Sequence, residues 1–448
     1  MESKLKRLGE LAAAHPRMRF TSIYHLVYAP ENLRASFEEM KVGKAPGVDG
    51  VTKAEYGQNL ESNLQDLSGR LARMGYQPPP VRRHYIKKPG SAKMRPLGIP
   101  CFEAKLVEGA VRRVLEPIYE VDFLDCSHGY RPRRKQHDAL DRLGRTIQRR
   151  KISYVAEADI QGFFDRVNHE WLEKFLEVRI GDPRVLQLIQ RILKSGILED
   201  GLVRVSEEGT PQGGVLSALL SNIYLHYALD LWVERRFRRG CRGEMEYIRY
   251  ADDFLACFQY RGEAEAFLQE LEQRLGQFHL KVSPSKTKLV AFGRFAEQEA
   301  RRCGKTPETF DFLGFTHYCG RTRQGGFKVK RRTSRKKRQA KLQELTEWLK
   351  TNRSRLKAGE LLLGLSRKFR GHLEYYAITD NGPSCQAYGT QMVRLAFKWL
   401  NRRSQRRSYT WPQFASALSW AGWPPVRIRH NLCPFRVGPE GTLKSRTG

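Results

Sequence analysis

The chain has 448 residues, with 80 Lys and Arg against 48 Asp and Glu, a formal net charge of +32. Hydrophobic residues make up 40%, enough to bury a substantial interior, so a largely disordered chain is excluded, and the length calls for two or three domains. No run approaches the roughly 18 apolar residues of a membrane helix, and Met1 to His15 lacks a signal-peptide pattern. The eight cysteines contain no Cys-x-x-Cys, which argues against a disulfide framework or a paired-cysteine zinc site and makes a reducing cytoplasm the expected setting.

The elements read as follows in chain order. Residues 31–40 form a short helix, followed by a glycine- and proline-rich loop over 43–50 and a second helix over about 56–74. Residues 76–100 read as a strand, a turn at Gly90-Ser91 and a second strand. Helices occupy about 103–120 and 135–150. A strand, Tyr154-Val-Ala-Glu-Ala-Asp159, ends in a carboxylate. Residues 169–195 are helical, and 209–230 begin as a loop and become a long helix. Two apolar runs between Glu246 and Phe258 are joined by Ala251-Asp252-Asp253, a hairpin signature. A helix over 263–278 carries Phe267, Leu271 and Leu275 on one face. Strands follow near 279–295 and 310–318. At about 320 the composition shifts, and a basic linker from Lys328 to Arg338 precedes three helical stripes. These are Leu342, Leu345 and Leu349; then Leu362, Leu365, Phe369 and Leu373; then Tyr388, Met392, Leu395 and Trp399.

Charge is concentrated at the carboxyl-terminal end. Residues 321–448 carry 29 Lys and Arg against 6 Asp and Glu, a net +23, whereas residues 1–320 carry +9. Such a surplus fits a polyanionic partner, nucleic acid above all, because neutralising phosphates releases condensed counterions. The aromatic residues of this region, among them Trp348, Tyr375, Trp399 and Trp411, could stack on bases. Several recur at helical spacing, which fits a core.

The clearest chemical signal is Tyr250-Ala251-Asp252-Asp253. Adjacent carboxylates at a tight turn repel one another unless a cation is present, and magnesium takes one or two carboxylates with phosphate oxygens and water. Asp159 closes another apolar strand. If the two strands are neighbours, the three carboxylates suit a pair of divalent ions about 3.5–4 Å apart and in-line phosphoryl transfer. Asp165 fits a helix cap or local ion pair better than it fits catalysis. In Gly209-Thr-Pro-Gln-Gly-Gly-Val-Leu-Ser217, the glycines allow close backbone approach to a ligand and Gln212 offers donors and acceptors.

Taken together, these residues resemble the reverse transcriptases encoded by bacterial group II introns, in a form lacking the endonuclease domain. The order carries the resemblance. Asp159-x-x-x-Phe-Phe-Asp165 is followed by Thr210-Pro-Gln-Gly-Gly-x-Leu-Ser217, Tyr250-Ala-Asp-Asp253, Ser283-Pro-Ser-Lys-Thr-Lys288 and Phe312-Leu-Gly-Phe315. Upstream, Gly47-Val-Asp-Gly50, Arg95-Pro-Leu-Gly-Ile-Pro100 and Ser127-His-Gly-Tyr-Arg-Pro132 look like the family's fingers motifs. Downstream, Gly371-His-Leu-Glu-Tyr-Tyr376 and the Trp399–Arg407 run look like its maturase domain. One departure is Ala218, where proline is usual.

The resemblance implies an α+β right-hand polymerase. Fingers and palm would span 1–320, with an amino-terminal extension over about 1–75. A helical thumb or maturase domain would span 321–412, with a short basic tail over 413–448 and no endonuclease domain. It implies an RNA-directed DNA polymerase using two magnesium ions, with Asp159, Ile160, Asp252 and Asp253 as the metal set and Lys286 as general acid. Lys88, Arg95 and Lys105 would hold the incoming triphosphate. Phe164 matches the steric gate against a ribose 2′-hydroxyl, and Gln212 would lie near the sugar. Arg82, Phe312, Leu313 and Gly314 would contact primer or template. The implied partners are an RNA template, a group II intron RNA, a DNA primer or target and dNTPs, with no membrane. A host-adopted enzyme in defence or repair, an RNA polymerase, and an RNA-binding splicing factor without polymerase activity remain open alternatives on sequence alone.

Overall fold

The computed structural model describes residues 1–87, 94–205, 208–210, 213–403 and 408–432. Lys88 and Gln212, singled out above, lie outside the described residues. The chain opens with α1 (Glu2–Ala14), α2 (Tyr24–Tyr28) and α3 (Pro30–Glu39). Pro30 begins α3, where its missing N–H would be unpaired in any case. The helix expected over 56–74 is two, α4 (Lys53–Gln58) and α5 (Leu60–Ala72). A capping box of Thr52 and Glu55 starts α4, and Asn59 leaves helical geometry at φ −120°, ψ 43°.

Next come β1 (Val81–Lys87), β2 (Met94–Ile99), α6 (Phe102–Asp122), α7 (Gln136–Arg149) and β3 (Tyr154–Asp159). The helix expected over 169–195 also divides, into α8 (His169–Glu177) and α9 (Pro183–Leu193). The Asp182 carboxylate accepts the Arg184 N–H at 3.2 Å, so a fresh amino-terminal cap at an Asp-Pro pair interrupts the apolar periodicity. After β4 (Ile197–Glu199) and β5 (Leu202–Arg204), α10 (Ser217–Leu225) continues through π-helical turns at His226–Asp230 and Val233–Phe237 into α11 (Arg238–Gly240), past its expected end at 230. The chain goes on with β6 (Met245–Tyr250), β7 (Asp253–Phe258), α12 (Arg261–Gly276), β8 (Lys288–Ala291), α13 (Ala296–Arg302), β9 (Phe310–Phe312) and β10 (Phe315–Arg321). Within the stretch expected as strand near 279–295, only β8 forms a named strand.

Several expectations fail in the carboxyl-terminal part. The basic run 328–338 is no linker. It is strand β11 (Phe327–Thr333) and the start of α14 (Arg335–Asn352). Val329, Arg331 and Thr333 are buried in alternation with Lys328, Lys330 and Arg332, and the buried arginine disguises the period of two. β11 pairs along its whole length with β10, Phe315 opposite Thr333 through Arg321 opposite Phe327, so the boundary expected at 320 falls inside a hairpin. Helices α15 (Ala358–Tyr376) and α16 (Gly382–Leu400) follow the expected stripes, and α17 (Trp411–Trp420) adds a fourth helix. A Thr410–Gln413 capping box starts α17, and its Phe414 and Leu418 are buried. The tail expected from 413 therefore begins within a packed helix.

The strands form three sheets, ordered β2-β1-β4-β5, β6-β7-β3-β8 and β11-β10-β9. The second sheet positions the carboxylates, and its pleat sorts side chains between two cores. Ala156, Ala158, Phe254, Ala256 and Phe258 join α6, α8, α10 and α12 on one side. Val155, Ile248, Leu255, Cys257 and Val290 join α7, β9–β11 and the carboxyl-terminal helices on the other. A sheet covered on both faces reads as nearly continuous apolar sequence, as these strands do. The architecture is α+β. Among the described residues, no helix is long and apolar enough to cross a membrane.

Candidate active site

Strands β3 and β7 are antiparallel neighbours, with Tyr154 opposite Phe258 and Asp159 opposite Asp253. β6 pairs with β7 so that Tyr250 meets Asp253, leaving Ala251 and Asp252 as the two-residue turn. Ala251 holds φ at +57°, a left-handed value that non-glycine residues rarely adopt. The sheet thus brings the carboxylate at the end of β3 to the turn bearing the other two.

The electrostatics match that placement. Asp253 opens β7 with its side chain exposed at the surface, over an otherwise buried strand. Desolvation by the surrounding protein, followed by the charges of Asp252 and Asp159, raises its pKa to about 6 against the pull of Lys286 and Lys337. Burial and then Asp159 also raise Asp252, opposed by Arg95 and Lys286. The Lys286 ammonium donates to Asp159 Oδ2 at 2.6 Å. Charges that raise their neighbours' proton affinity would also attract a cation. As they stand, no three His, Cys, Asp or Glu among the described residues form a group that could hold a metal ion. Ile160 is buried beside Asp159 and bridges to Val282.

Other expected residues fall into two groups. Arg95 is exposed on β2 and acts on Asp252. Phe164 is half-buried against Phe163, ring centroids 5.4 Å apart. Its carbonyl accepts the Thr210 N–H at 2.7 Å, which fixes Phe164 to the glycine-rich loop. That loop also meets β2: a side chain on Gly213, at φ +118°, would come within 2.9 Å of the Gly98 carbonyl. Lys105 and Arg82 each make a contact with a neighbouring loop. The Lys105 ammonium donates to the Ala45 carbonyl at 2.9 Å and Arg82 Nη2 to the Pro46 carbonyl at 2.8 Å, so both hold the 43–50 loop. Phe312 is buried, and Leu313 and Gly314 form a left-handed turn at φ +49° and +81°. The Tyr375 hydroxyl donates to the Leu313 carbonyl at 2.9 Å, and the Ser334 N–H to that of Gly314 at 3.0 Å.

Several residues at the site escaped the sequence reading. Tyr130 is 52% exposed, and burial and then the Asp252 charge raise its hydroxyl pKa. Lys337, in the first turn of α14, acts on Asp253. Arg249 lies wholly buried one strand position before Tyr250. The available signal was a charged residue inside an otherwise apolar run, which requires a buried partner.

Acidic residues at a hairpin turn, facing an acidic strand end and flanked by a helical unit, define a polymerase of the right-hand kind. The chain belongs to the reverse transcriptase (RNA-dependent DNA polymerase) family, whose model matches residues 86–317. It is 34% identical over 322 residues to protein YkfC of Escherichia coli (strain K12), covering 63% of this chain and 83% of that one. It is 40% identical over 229 residues to the group II intron-encoded protein LtrA of Lactococcus lactis subsp. cremoris, covering 51% of this chain and 38% of LtrA. A 97-residue match, 31% identical, links it to nuclear intron maturase 1, mitochondrial, of Arabidopsis thaliana, covering 21% of this chain and 13% of that one. The chain thus spans well under half the length of these two intron-related proteins. The chain is thus a reverse transcriptase with stretches similar to intron-encoded proteins.

Proposed function

We propose that this chain copies RNA into DNA by two-metal nucleotidyl transfer, and that it also serves as a maturase for a group II intron RNA. Asp159, Asp252 and Asp253 hold two magnesium ions, with Ile160 contributing through its backbone. When bound, magnesium lowers the pKa of the primer 3′-hydroxyl and neutralises charge on the departing pyrophosphate. Lys286 gives the pyrophosphate its proton. Arg95 and Lys88 grip the triphosphate, with Lys105 and Arg82 acting behind them through the 43–50 loop. The Phe164 ring excludes a ribose 2′-hydroxyl, and Gln212 lies beside the sugar. Phe312, Leu313 and Gly314 support the primer end, and the basic helices α14 to α17 form a thumb that grips RNA through its phosphates.

The observation that carries this reading is the register that sets Asp159 opposite Asp253, beside Asp252. Primer extension on an RNA template with magnesium and dNTPs tests it, wild type beside Asp252→Ala. Wild type extends, the variant does not, and both bind the RNA. Extension by the variant at a rate near wild type would overturn the assignment. A group II intron RNA should splice faster with either protein, and no acceleration would remove the maturase half alone.

A further inference from the structure

Behind the carboxylates lies a second charged group that the chemistry above does not use. Arg249 and Asp230 are both completely buried. Every N–H of the guanidinium has an acceptor. Nε and Nη2 donate to the two Asp230 oxygens at 2.7 and 2.6 Å. Nη2 also donates to Ser127 Oγ at 2.8 Å, and Nη1 to Asn222 Oδ1 at 2.9 Å. The remaining bond is from Nη1 to the Ala251 carbonyl at 3.0 Å, within the turn that bears Asp252. Asn222 in turn donates from Nδ2 to the Gly129 carbonyl at 2.8 Å. Main-chain bonds tie the same parts together: Arg249 N–H to the Cys126 carbonyl at 2.8 Å, and His128 N–H to the Arg249 carbonyl at 2.9 Å.

The network encloses an unusual backbone. A positive φ at the first of two hairpin-turn residues is a glycine position, and Ala251 occupies it. A non-glycine residue persists there only where its surroundings over-determine it. Gly129 presses on the turn from outside, where a side chain would come within 2.2 Å of the Ala251 nitrogen. Arg249 holds the Ala251 carbonyl from inside. Its charge is matched by Asp230, and the cations that act on Asp252 are Arg95 and Lys286. A buried ion pair is weak evidence for stability. Its specific contact with the turn assigns it a different task.

We propose that Arg249 is a positioning residue. With Asp230, Asn222 and Ser127 it clamps the Ala251–Asp252 turn in the left-handed conformation that presents Asp252 and Asp253 together. The proposal rests on the polymerase reading of those two carboxylates.

The test uses full-length Arg249→Lys, which keeps the charge and loses the forked geometry. Steady-state extension should show kcat lower by about tenfold or more, with dNTP KM and RNA affinity within about twofold of wild type. Amide hydrogen exchange should speed up at residues 126–131 and 249–253 and not across the whole chain. Adding Ala251→Gly should recover a large part of the lost kcat, because glycine adopts positive φ without a clamp. Should Arg249→Lys fail to fold, Asn222→Ala reads the same quantities with a smaller loss. Unchanged kcat, or a loss matched by uniformly faster exchange and not relieved by Ala251→Gly, would overturn the proposal. A wild type that binds RNA but never extends would overturn the polymerase reading instead. The exchange comparison would still decide whether the clamp holds the turn.

Discussion

Two sheets of this molecule set their side chains in opposite physical conditions. In β6-β7-β3-β8 nearly every side chain of β6 and β7 is buried, and the exceptions are Tyr250 and Asp253 beside the turn. In β2-β1-β4-β5, Tyr85, Ile86 and Met94 are 40–49% exposed, and Leu202 and Val203 are 63% and 54% exposed. Within the first sheet the ion pairs also differ in exposure: Arg249–Asp230 has none, whereas at the open end of β3 the Lys286 side chain is 64% exposed against Asp159 at 20%. Carboxylates proposed to share cations need their backbone fixed within a fraction of an ångström. Groups that grip a ligand and release it work at the surface, in water.

The largest break in this comparison is predicted for Asp252→Ala, which should abolish dNTP incorporation while a filter-binding measurement finds RNA affinity within a few-fold of wild type. Next comes the buried pair. Asp230→Asn leaves the Arg249 charge unmatched and should cost about 3–5 kcal/mol in urea unfolding. Lys286→Met should leave the melting temperature unchanged yet slow extension. Equal melting losses at the two pairs would dissolve the contrast between buried and exposed charge. Gly129→Ala forces a methyl group against the Ala251 nitrogen and should cost about 1–3 kcal/mol, with a larger relative loss of kcat than of stability.

A pH test sharpens the point. Glu108 on α6 is buried and accepts the Leu216 N–H at 3.2 Å at the start of α10. Burial raises its pKa to about 7, only partly opposed by the Leu216 and Val215 N–H groups and by Lys105. Its folded pKa exceeds the unfolded one, so the folded state holds the extra proton. Stability relative to Glu108→Gln is therefore full below about pH 4 and falls as pH rises through about 7. Urea midpoints of the two proteins across that range check the sign. The smallest effect belongs to the exposed sheet, where Leu202→Ser should change stability by less than about 0.5 kcal/mol.

How much of this could be read in the sequence depended on how each residue is used. Asp159, Asp252 and Asp253 stood out because apolar strands ended in carboxylates, and the sheet pairing supplied only their proximity. The pairing of β1 with β2, joined through residues outside those described, and the paths of α6 and α7 matched the expected strands and apolar periodicity. The splits at Asn59 and Asp182 were obscured because apolar residues continue on both sides of them: the backbone merely leaves helical geometry at Asn59, and Asp182 caps the start of a new helix. β11 was hidden by Arg331, which is buried in a strand position usually apolar, its Nη2 donating to the Leu140 carbonyl at 2.8 Å. Arg249 was missed for the same reason. A buried arginine looks like surface charge until its partners, distant in the chain, are known. Lys105 and Arg82 show the converse, since cations that look free to meet a ligand are committed to carbonyls of a neighbouring loop.

Only Ser334 separates the end of β11 from the start of α14, and its N–H is tied to Gly314. A helix advances about 100° per residue, so adding one residue at this joint would rotate α14 by that angle relative to the hairpin. Lys337 would then turn away from Asp253 although no side chain had changed. The angular phase between helix and sheet is written here in the length of the joint, a kind of information that substitution scanning passes over and a single-residue insertion would expose at once.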